Sequence, residues 1–123
     1  MHIIHSIFYF LNNLKVYHWN TKSYPRHKAS DKCFNDIQIL FDRFVEVYIG
    51  KYGRDKLFLH GGGNVDINVN SKVNDKNITN LFKQTISFLN DIDLKSSKDS
   101  DLITIRDEIL ATLNQTLYLF TLD

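Results

Sequence analysis

The chain has 123 residues, which is enough for one domain with a buried core and too few for two. Its 15 Lys and Arg against 14 Asp and Glu leave a net charge of +1, so it lacks the strong positive charge that drives non-specific binding to nucleic acid, and nucleic acid is not expected as a partner. Cys33 is the only cysteine, which excludes an internal disulfide and a thiolate zinc site and is typical of a reducing compartment.

The first dozen residues are apolar enough to suggest a signal peptide or a membrane anchor. They contain no basic n-region and no small-residue cleavage site, and His2, His5 and Ser6 interrupt the apolar run. The segment is therefore predicted to be a buried helix in a protein that is neither secreted nor bound to a membrane.

Helical periodicity marks two stretches in the first half of the chain. In the first, apolar residues recur at steps of three and four from about His2 to about Asn20. The second begins between Thr21 and Pro25, because proline is tolerated in the first turn of a helix, and it continues to Gly50. Gly50 and Gly53 are predicted to supply the C-terminal stop, since glycine is common just after a helix.

The second half contains two more helical patterns. One is predicted from about Asp75, a candidate N-cap, to about Ile92, and the other from about Ser100 to Leu122. The preceding segment, Arg54 to Asp75, contains three consecutive glycines and is predicted to be a surface loop or one short extended stretch. Four amphipathic helices predict an all-α antiparallel four-helix bundle, with the whole chain as a single domain.

His18 is the polar residue on the inner face of the first helix. It continues the row formed by Ile7, Leu11 and Leu14, so its side chain is expected to point into the bundle. One interpretation is a core histidine with ordinary hydrogen-bond partners, and the other is a metal ligand.

The second helix carries a polar stripe. At about 100° per residue, six polar side chains fall on one narrow strip that borders the predicted apolar face: His27, Asp31, Asn35, Gln38, Asp42 and Glu46. A half-buried carboxylate costs several kcal/mol unless it is paired, hydrogen-bonded or bound to a cation. Asp42 and Glu46 are therefore expected to pair with Arg26, Arg43 or a lysine, or to bind a metal ion together with imidazole nitrogens.

A family resemblance bears on this choice. The run Val16-Tyr17-His18-Trp19-Asn20, followed by His27, Asp42 and Glu46, resembles the iron-site segment of the DNA-protection-during-starvation (Dps) branch of the ferritin-like superfamily. There a His-Trp-Asn element ends the first helix, a second histidine opens the second, and an Asp and a Glu four apart lie further along it. The likeness extends over most of the chain apart from Arg54 to Asp75, although the two histidines are three residues closer here than in the family.

The resemblance implies a metal site shared between two subunits. His18 and His27 would come from one chain, and Asp42 and Glu46 from its partner, so the protein would be a homodimer or a higher homo-oligomer. The metal implied is Fe, with Zn or Mn as other divalent candidates, and the activity implied is oxidation or sequestration of Fe(II). Asp31 is a candidate substitute ligand for a displaced His27.

The resemblance also suggests a role for Trp19. Beside the metal, its indole would take up stray oxidising equivalents, and the alternative is that it is a large core or interface aromatic.

Two functional classes remain open from the sequence. The first is a metal-binding, Dps-like protein and candidate ferroxidase. The second is a non-enzymatic ferritin-like dimer with a structural or interaction role, in which the polar stripe forms salt bridges between chains. The run His27-Lys28-Ala29-Ser30-Asp31 is similar to that of uncharacterised ferritin-like proteins of large DNA viruses, which implies a virus-encoded or virion protein. The expected location is the cytoplasm, or the virion if the protein is viral.

Overall fold

The regular structure of the chain is helical wherever it is described. The computed structural model describes residues 3–58 and 67–123. Within these ranges there are five helices: α1 (Ile3–Asn20), α2 (Tyr24–Tyr52), α3 (Asp55–Phe58), α4 (Ile78–Asn90) and α5 (Ser100–Phe120). The predicted all-α class is therefore confirmed.

Each of the four long helices packs against two of the others. Helix α1 packs against α2 and α4, and α5 packs against the same two helices. The short α3 contacts α1 and α2. This arrangement is compatible with the predicted four-helix bundle, and it places α1 and α2 side by side with one face of the pair turned to solvent.

The ends of α2 follow from local chemistry. Ser23 precedes the helix in an extended conformation, and its hydroxyl accepts a hydrogen bond from the backbone N–H of Arg26 at 3.2 Å. Pro25 lies in the first turn, where no N–H is needed. At the other end, Gly53 has a φ of 85°, which favours glycine, and its N–H donates to the carbonyl of Ile49 at 2.8 Å. Gly50, predicted as part of the stop, lies inside the helix.

The third predicted helix begins later than expected. Helix α4 starts at Ile78 with Asn77 at the N-cap position, so the expectation that Asp75 caps this helix is wrong. The carboxylate of Asp75 instead accepts hydrogen bonds from the Tyr17 hydroxyl at 2.7 Å and from the Thr21 hydroxyl at 2.9 Å. It therefore ties the segment before α4 to the end of α1.

The link before α4 is only partly described. Helix α3 was not predicted, because four residues are too few to show helical periodicity. Residues 67–70 have no regular structure. The three glycines on which the loop prediction rested lie outside the described residues.

Two asparagines of α1 hold the segment that leads to α4. The amide nitrogen of Asn13, which is buried, donates to the carbonyl oxygens of Tyr9 and Asn68 at 2.8 and 3.0 Å, and its amide oxygen accepts from the N–H of Asn70 at 2.7 Å. Two turns further on, the amide nitrogen of Asn20 donates to the carbonyl oxygens of residues 71 and 73. Backbone groups that lack a helix or sheet partner are thus satisfied by side chains.

The core explains how α2 is oriented. Its buried residues are Ala29, Ser30, Cys33, Ile37, Phe41 and Phe44. The first three are small and allow close helix packing, and they turn the buried face away from Phe34 and Val45, which are only partly buried. Burial also raises the pKa of the Cys33 thiol to about 12.

No helix in the described part of the chain combines the length and the apolar character needed to cross a membrane.

Candidate functional site

The two predicted histidines lie against each other where α1 meets α2. The imidazole rings of His18 and His27 stack with their centroids 3.8 Å apart and their planes 18° from parallel. Nδ1 of His18 donates to the carbonyl oxygen of His27 at 2.8 Å, and Nδ1 of His27 donates to the carbonyl oxygen of His18 at 2.9 Å. The predicted inward position of His18 is confirmed, since the residue is buried.

This reciprocal pairing fixes the chemistry of both rings. A carbonyl oxygen can only accept, so each Nδ1 carries a hydrogen, and in a neutral imidazole the lone pair is then on Nε2. No described residue hydrogen-bonds to either Nε2. An Nδ1–H held by a backbone carbonyl is also the usual second-shell arrangement of a metal-bound histidine. The geometry thus leaves two parallel rings with free Nε2 atoms.

Asp42 and Glu46 lie on the outer face of α2, and both are exposed. The expectation that they would be half buried beside the core is wrong, because the small residues Ala29, Ser30 and Cys33 rotate the buried face of α2 away from them. Neither forms an ion pair with any described residue.

Asp31 takes part in a different contact. Its carboxylate lies 3.8 Å from the ammonium of Lys15 on α1, and the same ammonium lies 4.3 Å above the ring of Phe34. This is a weak, partly exposed ion pair combined with a cation–π contact. Asp31 therefore has a cation partner within the chain, on α1.

Within one chain the candidate ligands form two separate pairs. His18 and His27 are in contact, and Asp42 and Glu46 are one helical turn apart, but His27 and Asp42 are separated by 15 residues of a single helix, roughly 22 Å. Accordingly, the described residues contain no cluster of three or more His, Cys, Asp or Glu side chains able to hold a metal. One chain alone therefore cannot supply the four ligands together.

An apolar groove runs between α1 and α2 on the same face. It encloses about 400 Å³. Its apolar lining is formed by Ile4, Phe8, Leu11, Phe34, Phe41 and Val45. Asn12, Gln38 and Asp42 supply polar atoms to the same groove. Asp42, one of the two exposed carboxylates, thus adjoins an apolar depression, a combination typical of an interaction surface.

Trp19 is also exposed on this face, with 69% of its surface accessible. It follows Lys15 by one turn on the outer side of α1, so the prediction of a core aromatic does not apply within one chain.

A second polar cluster surrounds Arg26, which was one of the alternative counter-ions expected for Asp42 and Glu46. Its guanidinium instead donates to Asp123 at 3.1 Å, to the Tyr17 hydroxyl at 3.1 Å and to the carbonyl oxygen of Phe120 at 3.2 Å. The guanidinium carbon also lies 4.9 Å from the centroid of the Phe120 ring. Nothing in the sequence pattern indicates this contact, because it joins residues almost 100 positions apart.

Three comparisons place the chain among known proteins. No solved structure matches it at a significant level. A protein of Enterobacteria phage T4, described as "Uncharacterized 14.6 kDa protein in mobD-ri intergenic region", is 51% identical over 37 residues, which are 30% of this chain and 29% of the T4 protein. The chain thus covers less than a third of that relative. The model of a family of unknown function, DUF5856, matches residues 18–120, and the chain therefore belongs to the DUF5856 family.

Proposed function

We propose that this protein is a ferritin-like helical bundle that binds a divalent metal ion, Fe(II) in the first place, between two copies of the chain. His18 and His27 of one copy and Asp42 and Glu46 of the other are the ligands. The observation that carries the proposal is that four suitable ligands form two pairs at opposite ends of the α1–α2 face. His18 and His27 have Nε2 atoms with no described hydrogen-bond partner, and Asp42 and Glu46 are exposed and form no ion pair with a described residue.

A two-fold axis would join the two pairs. The midpoint between His27 and Asp42 falls beside Phe34, near the middle of α2. An axis that is perpendicular to α2 at this level turns the second copy end over end, so that the partner's Asp42 lies at the level of His27. Because such an interface is self-complementary, one contact surface creates two identical sites.

The donor set fits a divalent transition metal. Imidazole nitrogen and carboxylate oxygen together suit Fe(II), Mn(II) and Zn(II), whereas Mg²⁺ and Ca²⁺ prefer oxygen alone. The backbone carbonyls that hold each Nδ1–H orient both rings before any metal binds. The bound metal supplies the redox chemistry, and oxidation of each Fe(II) gives one electron to dioxygen or peroxide.

A second candidate is a dimer of the same geometry without a metal function. The observation in its favour is that the described structure has no strain for a metal to relieve: the Nδ1 atoms are paired, and Asp42 and Glu46 are exposed. The phage relative supports a viral source under either candidate, with an interaction role in the virion under the second.

Anaerobic calorimetry of the metal-free protein with Fe(II) tests the proposal. We expect one bound Fe(II) per chain, loss of binding in the double variant D42A/E46A, and normal binding in the matched control D36A/E108A, which removes two other carboxylates. Equal binding by both variants would exclude the proposed ligands. Consumption of oxygen after exposure to air then separates oxidation from sequestration.

Complementation tests whether the site is shared. His27→Phe and D42A/E46A are each expected to bind no metal. In an equilibrated equal mixture, half of the dimers are mixed and each has one intact site, so about a quarter of the wild-type capacity returns. No recovery, despite exchange of subunits, would rule out a site built from two chains.

A further inference from the structure

Trp19 is the only tryptophan of the chain, and its side chain is 69% exposed. A tryptophan normally buries about 150–250 Å² of surface, so leaving this one in water forgoes a large favourable contribution. It lies on an outer row of α1 at three- and four-residue steps, and Phe8, itself 43% exposed, lies on the same row. This row borders α2 and belongs to the face that contains the apolar groove.

The groove has the chemistry that an indole requires. Its lining is aliphatic and aromatic, and its volume of about 400 Å³ is ample for one large side chain. The side chains of Asn12, Gln38 and Asp42 bring acceptor oxygens to it, and a buried indole N–H needs one acceptor.

The spacing between anchor and groove matches a single two-fold axis. Trp19 and Phe8 are 11 residues apart on α1, roughly 16 Å, and their midpoint lies beside Leu14. Lys15 follows directly and contacts the ring of Phe34 at 4.3 Å. The axis that brings His27 to the partner's Asp42 also crosses the face at Phe34. The axis positions required by the metal contact and by the Trp19 contact therefore agree to within about one helical turn.

We propose that the indole of Trp19 docks into the apolar groove between α1 and α2 of a second copy of this chain. Each dimer then contains two such anchors, placed symmetrically around the axis, with the metal ligands beside them. The proposal rests on the dimer of the proposed function and names the side chain that holds it together. The occupant is a second copy because the axis that relates Trp19 to the groove crosses the α1–α2 face at the level of the axis of the proposed dimer, so the docking continues that interface.

Intrinsic fluorescence tests the docking directly, because one tryptophan provides the whole signal. Emission is measured over a dilution series, with light scattering to report the mass. We expect blue-shifted emission at concentrations where the protein is dimeric and red-shifted emission where it is monomeric. Dimeric protein with fully red-shifted emission would overturn the docking proposal.

Substitutions give a second readout. Trp19→Ala and, in the groove, Phe8→Ala should each raise the dimer dissociation constant, by at least about 30-fold for Trp19, as for a buried aromatic hot spot. The matched control is Tyr118→Ala, since Tyr118 is an aromatic with 60% exposure that lies on α5 and not on the α1–α2 face. Equal effects of the Trp19 and Tyr118 variants would contradict the proposal. All three positions are at least 43% exposed, and circular dichroism verifies the fold.

The outcomes separate this proposal from the metal proposal. A dimer with buried Trp19 that binds no Fe(II) retains the docking and rejects the metal site. A dimer that binds Fe(II) with Trp19 in water retains the metal site and rejects the docking. A protein that stays monomeric at all accessible concentrations rejects both.

Discussion

His18 and His27 join α1 to α2 through a reciprocal contact, here called the clasp. Their rings stack, and the Nδ1–H of each donates to the carbonyl oxygen of the other. His27→Phe keeps a flat ring for stacking but removes one donor, leaving the carbonyl of His18 unpaired. We expect a loss of about 1–2 kcal/mol in the free energy of unfolding, measured by urea denaturation. Lys22→Ala, an exposed change in the same turn, should stay within about 0.5 kcal/mol of wild type. A His27→Phe protein of unchanged stability would mean that the clasp contributes nothing.

Arg26 should be the most sensitive charged residue of the chain. Arg26→Ala removes hydrogen bonds to Asp123, Tyr17 and the Phe120 carbonyl, and the expected loss in the free energy of unfolding is about 2–3 kcal/mol. Arg26→Lys keeps the charge but not the planar fork, so it should recover only part of the loss. Full recovery with lysine would show that charge alone matters. Arg43→Ala, an exposed change, is the matched control.

Asn13 should control the segment that leads to α4. In Asn13→Ala the carbonyl of Asn68 and the N–H of Asn70 lose their partner. Hydrogen exchange should therefore accelerate at the Asn70 amide more than at amides within α5, with a global loss of about 1–3 kcal/mol. The exposed Asn12→Ala serves as the control. Uniform acceleration along the chain would indicate general destabilisation instead.

The phenol of Tyr52 should ionise at a higher pH than an ordinary tyrosine. Its hydroxyl donates to the carboxylate of Asp99, and this bond, together with partial burial, raises the pKa of Tyr52 to about 12. A raised pKa in the folded state means that the contribution to stability is complete below the unfolded value of about 10 and is lost as pH rises towards 12. The wild-type minus Tyr52→Phe difference in phenolate absorbance should therefore have its midpoint near 12, and Asp99→Asn should lower it.

In the same hydrogen-bonded pair, the pKa of Asp99 is shifted in the opposite direction to that of Tyr52. Hydrogen bonds from the Lys95 backbone N–H and from Tyr52 hold the pKa of Asp99 below its ordinary value. A lowered pKa in the folded state stabilises the protein above the unfolded value of about 3.9, and this contribution disappears as pH falls below it. Asp99→Asn should therefore flatten the loss of thermal stability on acidification. An unchanged acid profile in this variant would contradict the assignment.

The sequence predicted the four long helices well because each has a sustained apolar period. Helix α2 shows where this reasoning stops. Its large apolar residues gave the right period, but its inner face includes Ala29, Ser30 and Cys33, which carry little hydrophobic signal and shift the buried face. Asp42 and Glu46 consequently proved to be exposed rather than half buried. Contacts between distant segments, such as Arg26 with Phe120, leave no periodic trace and could not be predicted.

The candidate site was predictable in part. The inward position of His18 could be predicted because it continues the apolar row of Ile7, Leu11 and Leu14 on α1. In the structure the side chain of His18 contacts that of His27. The ring stacking and the exchanged carbonyl contacts depend on the three-residue link between α1 and α2, whose conformation no pattern specifies. Whether the carboxylates join them depends on a second chain.

The buried thiol of Cys33 has a practical consequence. The thiol is buried, and burial raises its pKa to about 12, so very little of it is the reactive thiolate at neutral pH and it should not react with maleimides or nitroxide reagents. A cysteine introduced on the outside of α2, as in Asn35→Cys, can therefore be spin-labelled selectively in the otherwise natural chain. Because Asn35 adjoins the level where the symmetry axis would cross, the two nitroxides of a dimer would lie close enough to broaden each other's spectra.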